Sequence, residues 1–160
     1  MKLGALKMYR GLSVIAIVPV FNEAAKIQDV VTRMPGQILD EVLVVDDGST
    51  DDSAEVARSS GAHVISMGAT LGVGAALRTG YEYAVQHGYY VAVTVAGNNK
   101  DAPEEIPLLL YPIADGRADF VQGSRFLKRG ASFGAMPAYG QIATRFHPVL
   151  FSLVARRRVT

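Results

Sequence analysis

The sequence predicts an α/β fold, a mainly parallel sheet flanked by helices, and three observations carry that reading. Short apolar runs alternate with helical patterns from about residue 13 to about residue 121. The first run, Ser13–Val20, is near-continuously apolar, as a strand covered on both faces must be. Polar residues and glycines crowd where strands should pass into helices, at 19–23, 46–50, 68–74 and 96–101. In open parallel sheets ligands bind outside the carboxyl ends of the strands, so chemistry is expected at those four junctions.

Taken in order, the first strand, Ser13–Val20, is followed by a helix over Ala24–Met34, with Ile27, Val30, Val31 and Met34 on one side and Pro35-Gly36 ending it. Val42–Val45 is the second strand. Asp51–Ser60 is the next helix; Ser49 or Thr50 is placed to cap it, Asp51 and Asp52 suit its positive first turn, and Gly61 closes it. Ala62–Met67 reads as a third strand. A glycine-rich turn leads into a helix over about Gly74–His87, stopped by Gly88. Tyr89–Val95 is the fourth strand, and Pro103–Ala114 a helix with proline in its first turn. Phe120-Val121 are expected to continue the sheet as a short strand. No repeat or linker interrupts the chain, so residues 1–160 read as one domain.

Composition narrows the function classes. The chain has 160 residues, 49% of them apolar and 19% charged, which describes a globular protein with a real core. A net charge of +1, with Arg156-Arg157-Arg158 as the densest basic run, gives no nucleic-acid footprint. The absence of cysteine excludes disulfides and thiolate metal sites and fits a reducing, cytoplasmic setting. The run Leu12–Phe21 is too short for a bilayer and contains Pro19, and Asn22-Glu23 stand where a signal peptide would carry small residues.

Residues 44–53, Val-Val-Asp-Asp-Gly-Ser-Thr-Asp-Asp-Ser, hold two adjacent carboxylates directly after a strand. Asp46 and Asp47 there can accept hydrogen bonds from a ribose hydroxyl or a pyrimidine N–H; alternatively they shape an Asx turn and cap a helix. At the first junction, residues 18–23, Pro19 stiffens the strand exit, Phe21 offers a ring beside a base, and Glu23 adds a carboxylate. That junction also reads as a plain strand end and helix cap. The Gly72-Val73-Gly74 turn lacks a third small residue at Leu77 and follows the third strand rather than the first, which excludes a nicotinamide-type dinucleotide site.

Together these segments resemble the family 2 glycosyltransferases of the GT-A fold, a Rossmann-like sheet, among them the dolichol- and polyprenyl-phosphate sugar transferases. The resemblance rests on residues 17–27, 44–53, 71–80, 103–107 and 123–125, in order, and runs from about residue 13 to about residue 129. It implies a nucleotide-diphosphate-sugar donor. Pro19, Phe21, Glu23 and Asp47 would line the nucleoside pocket with Asp46 beside it, and Arg125 would meet the donor phosphates, where a guanidinium forks onto phosphate oxygens. A solvated surface role is the alternative for Arg125. Thr70 and Val73 depart from the family's usual Asn and frequent Lys.

The fourth junction departs further. Where the family carries an Asp-x-Asp metal motif, this chain reads Ala96-Gly97-Asn98-Asn99-Lys100-Asp101. Three readings stay open: Asn98 and Asp101 hold a rearranged Mg²⁺ or Mn²⁺; Lys100, beside Gly97 and Asn98, supplies the charge on the diphosphate instead; or the site is inactive. Residues 137–158 include a candidate amphipathic helix, Gln141–Arg156, with Ile142, Phe146, Val149, Leu150, Leu153 and Val154 on one side and a kink at Pro148. With Arg156–Arg158 it suits an anionic membrane surface and a lipid-phosphate acceptor, a peripheral position at the inner membrane face; packing on the protein's own core is the alternative. The chain ends at Thr160, ahead of the family's acceptor-side Asp, which reads as a fragment or natural truncation. His63, His87 and His147 read as structural, so no general base stands out. A transferase moving a sugar from a nucleotide-diphosphate-sugar donor to a lipid-phosphate or saccharide acceptor is therefore the leading expectation, with a non-catalytic nucleotide- or sugar-nucleotide-binding module as the alternative. A nucleotidyltransferase is disfavoured because Val18–Lys26 lacks a glycine-rich basic loop.

Overall fold

The structure, a computed structural model, describes residues 9–123. The chain divides into two units at Gln122–Gly123, and the architecture is that of the first, Met1–Gln122. Arg125 and the expected helix within 137–158 lie outside the described residues.

The elements are β1 (Val14–Val20), α1 (Ala24–Thr32), β2 (Glu41–Asp46), α2 (Ser53–Ser59), β3 (His63–Ser66), α3 (Val73–Gln86), β4 (Val91–Thr94), a 3₁₀ turn (Pro103–Glu105) and α4 (Ile106–Ala114). The sheet runs β3-β2-β1-β4 with every pair parallel. β1 is central, Val18 lying opposite Val44 and Ile17 opposite Thr94. Its alternate residues serve two cores, which is why the run had to be apolar throughout. Val14, Ala16, Val18 and Val20 pack with Ile27, Val30, Ala57, Ile106 and Leu110 of α1, α2 and α4. Ile15 and Ile17, with Leu43 and Val45 of β2, face Ala76 and Ala84 of α3.

The predicted helix ends are where the glycines put them. After α3, Gly88 adopts φ +72°, and the N–H groups of Gly88 and Tyr89 donate to Val85 O and Ala84 O, the paired bonds that close a helix through a left-handed residue. Gly61 ends α2 in the same way, through Arg58 O and Ala57 O.

Two expectations are corrected. α2 begins at Ser53, not Asp51, and neither Ser49 nor Thr50 caps it. The Asp51 carboxylate instead accepts hydrogen bonds from Ser53 N–H and from Ala24 N–H of α1, which keeps Asp51 outside the helix. Phe120-Val121 form no strand among the described residues; two residues supply too few ladder bonds, and Phe120 is exposed.

The amino end of the sheet is braced by one carboxylate. Glu41 accepts from Tyr83 (2.9 Å) and from Tyr89, and lies 2.7 Å from His63 Nδ1. Burial opposes ionisation of Glu41, but the hydrogen bonds from Tyr89, His63 and Tyr83 outweigh it and hold the carboxyl below its ordinary range. Burial and the same carboxylate push the Tyr83 phenol up to about 12. His63 and His87 both lie at this end, away from the strand-to-helix junctions, His87 stacking on Tyr83 at 3.9 Å.

Helix α3 approaches β1 through Gly80, where a Cβ would collide with the Ile17 side chain. Alanine in a helix interior is worth about 1 kcal/mol over glycine, whereas overpacking a closed core costs about 1–3 kcal/mol. Ile17 is fully buried and has nowhere to retreat, so the clash wins. Gly80→Ala is expected to lower the urea midpoint; an unchanged or raised midpoint would contradict this packing.

Candidate functional site

The site is built from the end of the central strand. A proline in a central strand normally breaks a ladder. Here the β1–β4 pairing stops at Ile17↔Thr94, its last bond running from Val95 N–H to Ile17 O at 3.1 Å. Strand alternation turns the Pro19 backbone toward the same side, beyond that last bond, so its missing N–H costs nothing. Gly97 fills the space: a Cβ there would lie 2.9 Å from Pro19 O. Chain order runs from β1 outward through β2 and β3, then jumps across to β4. The gap between β1 and β4 is therefore the topological switch point of the sheet.

The first and second junctions are stitched together. Asn22, at φ +53°, receives the Thr50 N–H on its side-chain oxygen (2.8 Å) and donates its own N–H to Ser49 Oγ (3.0 Å). Glu23 N–H donates to Ser53 Oγ (2.8 Å) and Ala24 N–H to Asp51 Oδ2 (3.1 Å). These are donors that the first turn of α1 cannot satisfy internally. Hydrogen bonds from Ser53 and from the Ala24 and Ser53 amides outweigh desolvation and hold the Asp51 carboxyl below its ordinary range.

The second and third junctions are tied by Asp47. Its carboxylate accepts Leu71 N–H at 2.7 Å and Gly72 N–H at 2.9 Å. Next to it, Gly48 has no room for a side chain, since a Cβ would sit 2.6 Å from the Ala69 carbonyl carbon. Asp46 folds the chain back on itself, its carboxylate accepting Ser49 N–H three residues on at 3.0 Å. Both aspartates are 5% exposed. Phe21, by contrast, is 45% exposed beside them, and Glu23 pairs with Lys26 at 2.6 Å.

The fourth junction folds on itself. Ala96 N–H donates to Asp101 Oδ2 (2.9 Å) and Lys100 N–H to Asn98 Oδ1 (3.2 Å). These residues do not fit a tightly held divalent ion. Ala96 has no ligand atom, the Asn98 oxygen is neutral and already engaged, and Asp101 is the loop's one carboxylate, with an oxygen committed to the backbone. Among the described residues no three His, Cys, Asp or Glu side chains converge as a metal cage.

The structure thus gathers Pro19, Asp46, Asp47 and Gly97 at adjacent strand ends, with Phe21, Glu23, Asn98, Lys100 and Asp101 on the loops leaving them. Sequence reasoning missed the stitching by Asn22, Asp51 and Ser53. The signal was present as two polar clusters following neighbouring strands, but pairing them requires the strand order. It also missed Arg33 and Asn99, which bond each other at 2.6 Å across 66 residues and leave no local trace.

Comparison with known proteins decides the family. The model of glycosyl transferase family 2 matches residues 15–156. The chain belongs to that family. Among curated relatives, polyprenol monophosphomannose synthase of Mycolicibacterium smegmatis is 32% identical over 123 residues, covering 72% of this chain and 46% of the relative. The UDP-N-acetylglucosamine–dolichyl-phosphate N-acetylglucosaminyltransferase of Methanococcus voltae is 28% identical over 138 residues, covering 76% and 55%. The chain thus spans about half the length of these family 2 relatives. Among solved structures, glucosyl-3-phosphoglycerate synthase of Mycobacterium tuberculosis, in complex with Mn²⁺, UDP-glucose and phosphoglyceric acid, aligns with a TM-score of 0.55 at 28% identity, over 66% of this chain and 40% of that one. Mannosyl-3-phosphoglycerate synthase of Rubrobacter xylanophilus, at 24% identity and TM-score 0.56 over 66% of this chain and 37% of that one, shares the fold. The GT-A architecture of the family 2 chain is thereby fixed.

Removing the Asp47 carboxylate takes the shared acceptor from the Leu71 and Gly72 amides; a hydrogen bond to a charged group contributes about 1.5–3 kcal/mol, and water reaching these two exposed residues offsets part of the loss. Asp47→Ala is therefore expected to lose about 2–4 kcal/mol in urea unfolding. A loss below about 0.5 kcal/mol, the usual range of a surface change, would contradict the tie between the two junctions.

Proposed function

We propose that this family 2 chain binds a nucleotide-diphosphate-sugar donor at the carboxyl ends of β1, β2 and β4, as the donor part of an enzyme that transfers the sugar to a lipid phosphate. The observation that carries the reading is that Pro19 and Gly97 meet at the switch point while Asp46 and Asp47 end the strand on the other side of β1, with the exposed Phe21 ring and a polar loop leaving the same end of the sheet. The relatives' names, a polyprenol monophosphomannose synthase and a dolichyl-phosphate sugar transferase, support the acceptor class.

In this reading Phe21 packs beside the base, with Pro19 and Glu23 as walls. Asp46 accepts from the base or ribose, and Asp47 contributes by holding the glycine-rich turn as the pocket's floor. The Gly97-Asn98 backbone and the Lys100 ammonium meet the diphosphate. An acceptor phosphate oxygen attacks the anomeric carbon with inversion. The bond from that carbon to the donor phosphate breaks, and the nucleoside diphosphate leaves with the electron pair. A phosphate oxygen is already ionised, so the step needs no strong base, in keeping with His63 and His87 lying at the far end of the sheet. A lipid acceptor places the enzyme peripherally at the cytoplasmic membrane face. No helix among the described residues is long and apolar enough to cross a membrane.

Because the loop's donor set suits a cationic side chain better than an ion, binding is expected to depend weakly on metal. Calorimetric titration with UDP and GDP, with and without Mn²⁺, should show an affinity gain below about tenfold, or 1.4 kcal/mol. Lys100→Ala should weaken binding by about that amount. A much larger gain with Mn²⁺ would overturn the role given to Lys100. Release of nucleoside diphosphate on adding a polyprenyl phosphate would establish transfer; binding without release would point to a non-catalytic sugar-nucleotide module.

A further inference from the structure

The Ala96–Asp101 loop is fixed at its root by Gly97 against Pro19 and by the Ala96–Asp101 hydrogen bond. Its tip is held from elsewhere. Asn99 adopts φ +60°, a left-handed conformation that asparagine tolerates better than most residues. Its amide oxygen accepts Arg33 Nη1 at 2.6 Å, and its amide nitrogen donates to Asp29 Oδ2 at 2.6 Å. Arg33 Nη2 reaches both carboxylate oxygens of Glu104, each at 2.8 Å, in the 3₁₀ turn that follows the loop. Asp29 and Arg33 are one turn apart at the end of α1, so both lie on the same flank of a helix whose other end is stitched into the second junction. The loop is therefore gripped before and after its charged segment by one rigid element.

We propose that Arg33, with Asp29, is a positioning residue for the donor diphosphate: through Asn99 it sets the conformation of the Asn98–Lys100 segment. Asn98 and Lys100 flank Asn99, so fixing the dihedrals of Asn99 fixes the direction in which both neighbours leave the backbone. The guanidinium is neutralised by Glu104 and Asp29 and does not itself serve as the phosphate ligand. An isolated ion pair this exposed contributes little. Here one guanidinium is shared among three acceptors, two of them distant in sequence, and the arrangement gains its specificity from that geometry. The proposal rests on the donor-binding reading above.

The test compares the wild-type chain with Arg33→Gln and Asn99→Gly. Glycine takes φ +60° without strain, so the second variant deletes the side-chain contacts and spares the backbone conformation. Amide hydrogen exchange in the ligand-free chain should speed up by about tenfold or more at Ala96 and Lys100 in both variants, with the β1 amides unchanged. UDP or GDP affinity should fall by about fivefold or more in the same variants. Unchanged exchange at Ala96 and Lys100 overturns the clamp. Faster exchange with unchanged nucleotide affinity overturns its positioning role. If the wild-type chain takes up neither UDP nor GDP, the donor-binding reading fails, the positioning role falls with it, and the exchange data still decide the clamp.

Discussion

A carboxylate buried at a strand end must find donors, and the Asp47 carboxylate finds them in the backbone of Leu71 and Gly72. That exchange lays the turn after β3 across the turn after β2, closely enough that Gly48 can carry no side chain. Once those two turns are locked, the adjoining segment Ser49–Ser53 is fixed as a partner for Asn22, Glu23 and Ala24 at the head of α1. Three loops that could have moved independently become one hydrogen-bonded body. A surface made this way is shaped in advance, so a ligand that binds there spends little on ordering it.

The two ends of the sheet are built to opposite purposes. At the amino end a single carboxylate, Glu41, gathers two tyrosines and a histidine, and its hydrogen-bonding capacity is consumed internally. At the carboxyl end the polar groups hold backbone while Phe21 and the Ala96–Asp101 loop face outward. The altered fourth junction is tied into the same end of the sheet. Gly97 still fits beneath Pro19, Asp101 still closes the loop, and α1 grips its tip.

Much of this was legible in the sequence. The alternation of apolar runs gave the four strands, and Gly61 and Gly88 gave the helix ends, because both signals act locally. The family likewise followed from motifs that are contiguous in the chain. What escaped was whatever needed the strand order. Asp51 reads as a first-turn helix residue until β1 and β2 are set side by side, when its carboxylate proves to serve two helices. Phe120-Val121 have the composition of a strand but no partner among the described residues. Arg33 and Glu104 look like ordinary surface charges and meet only because the chain crosses the sheet between them.

On the donor-binding reading, the interlocked carboxyl end receives the nucleotide, and among the described residues no other surface does. Backbone amide shifts on the labelled chain, titrated with UDP and GDP, test it most directly. Perturbations are expected to concentrate in residues 19–23, 46–50 and 96–101, with the Glu41–His63–Tyr83 end silent. Perturbations centred on that opposite end, or on the outer face of α3, would contradict it.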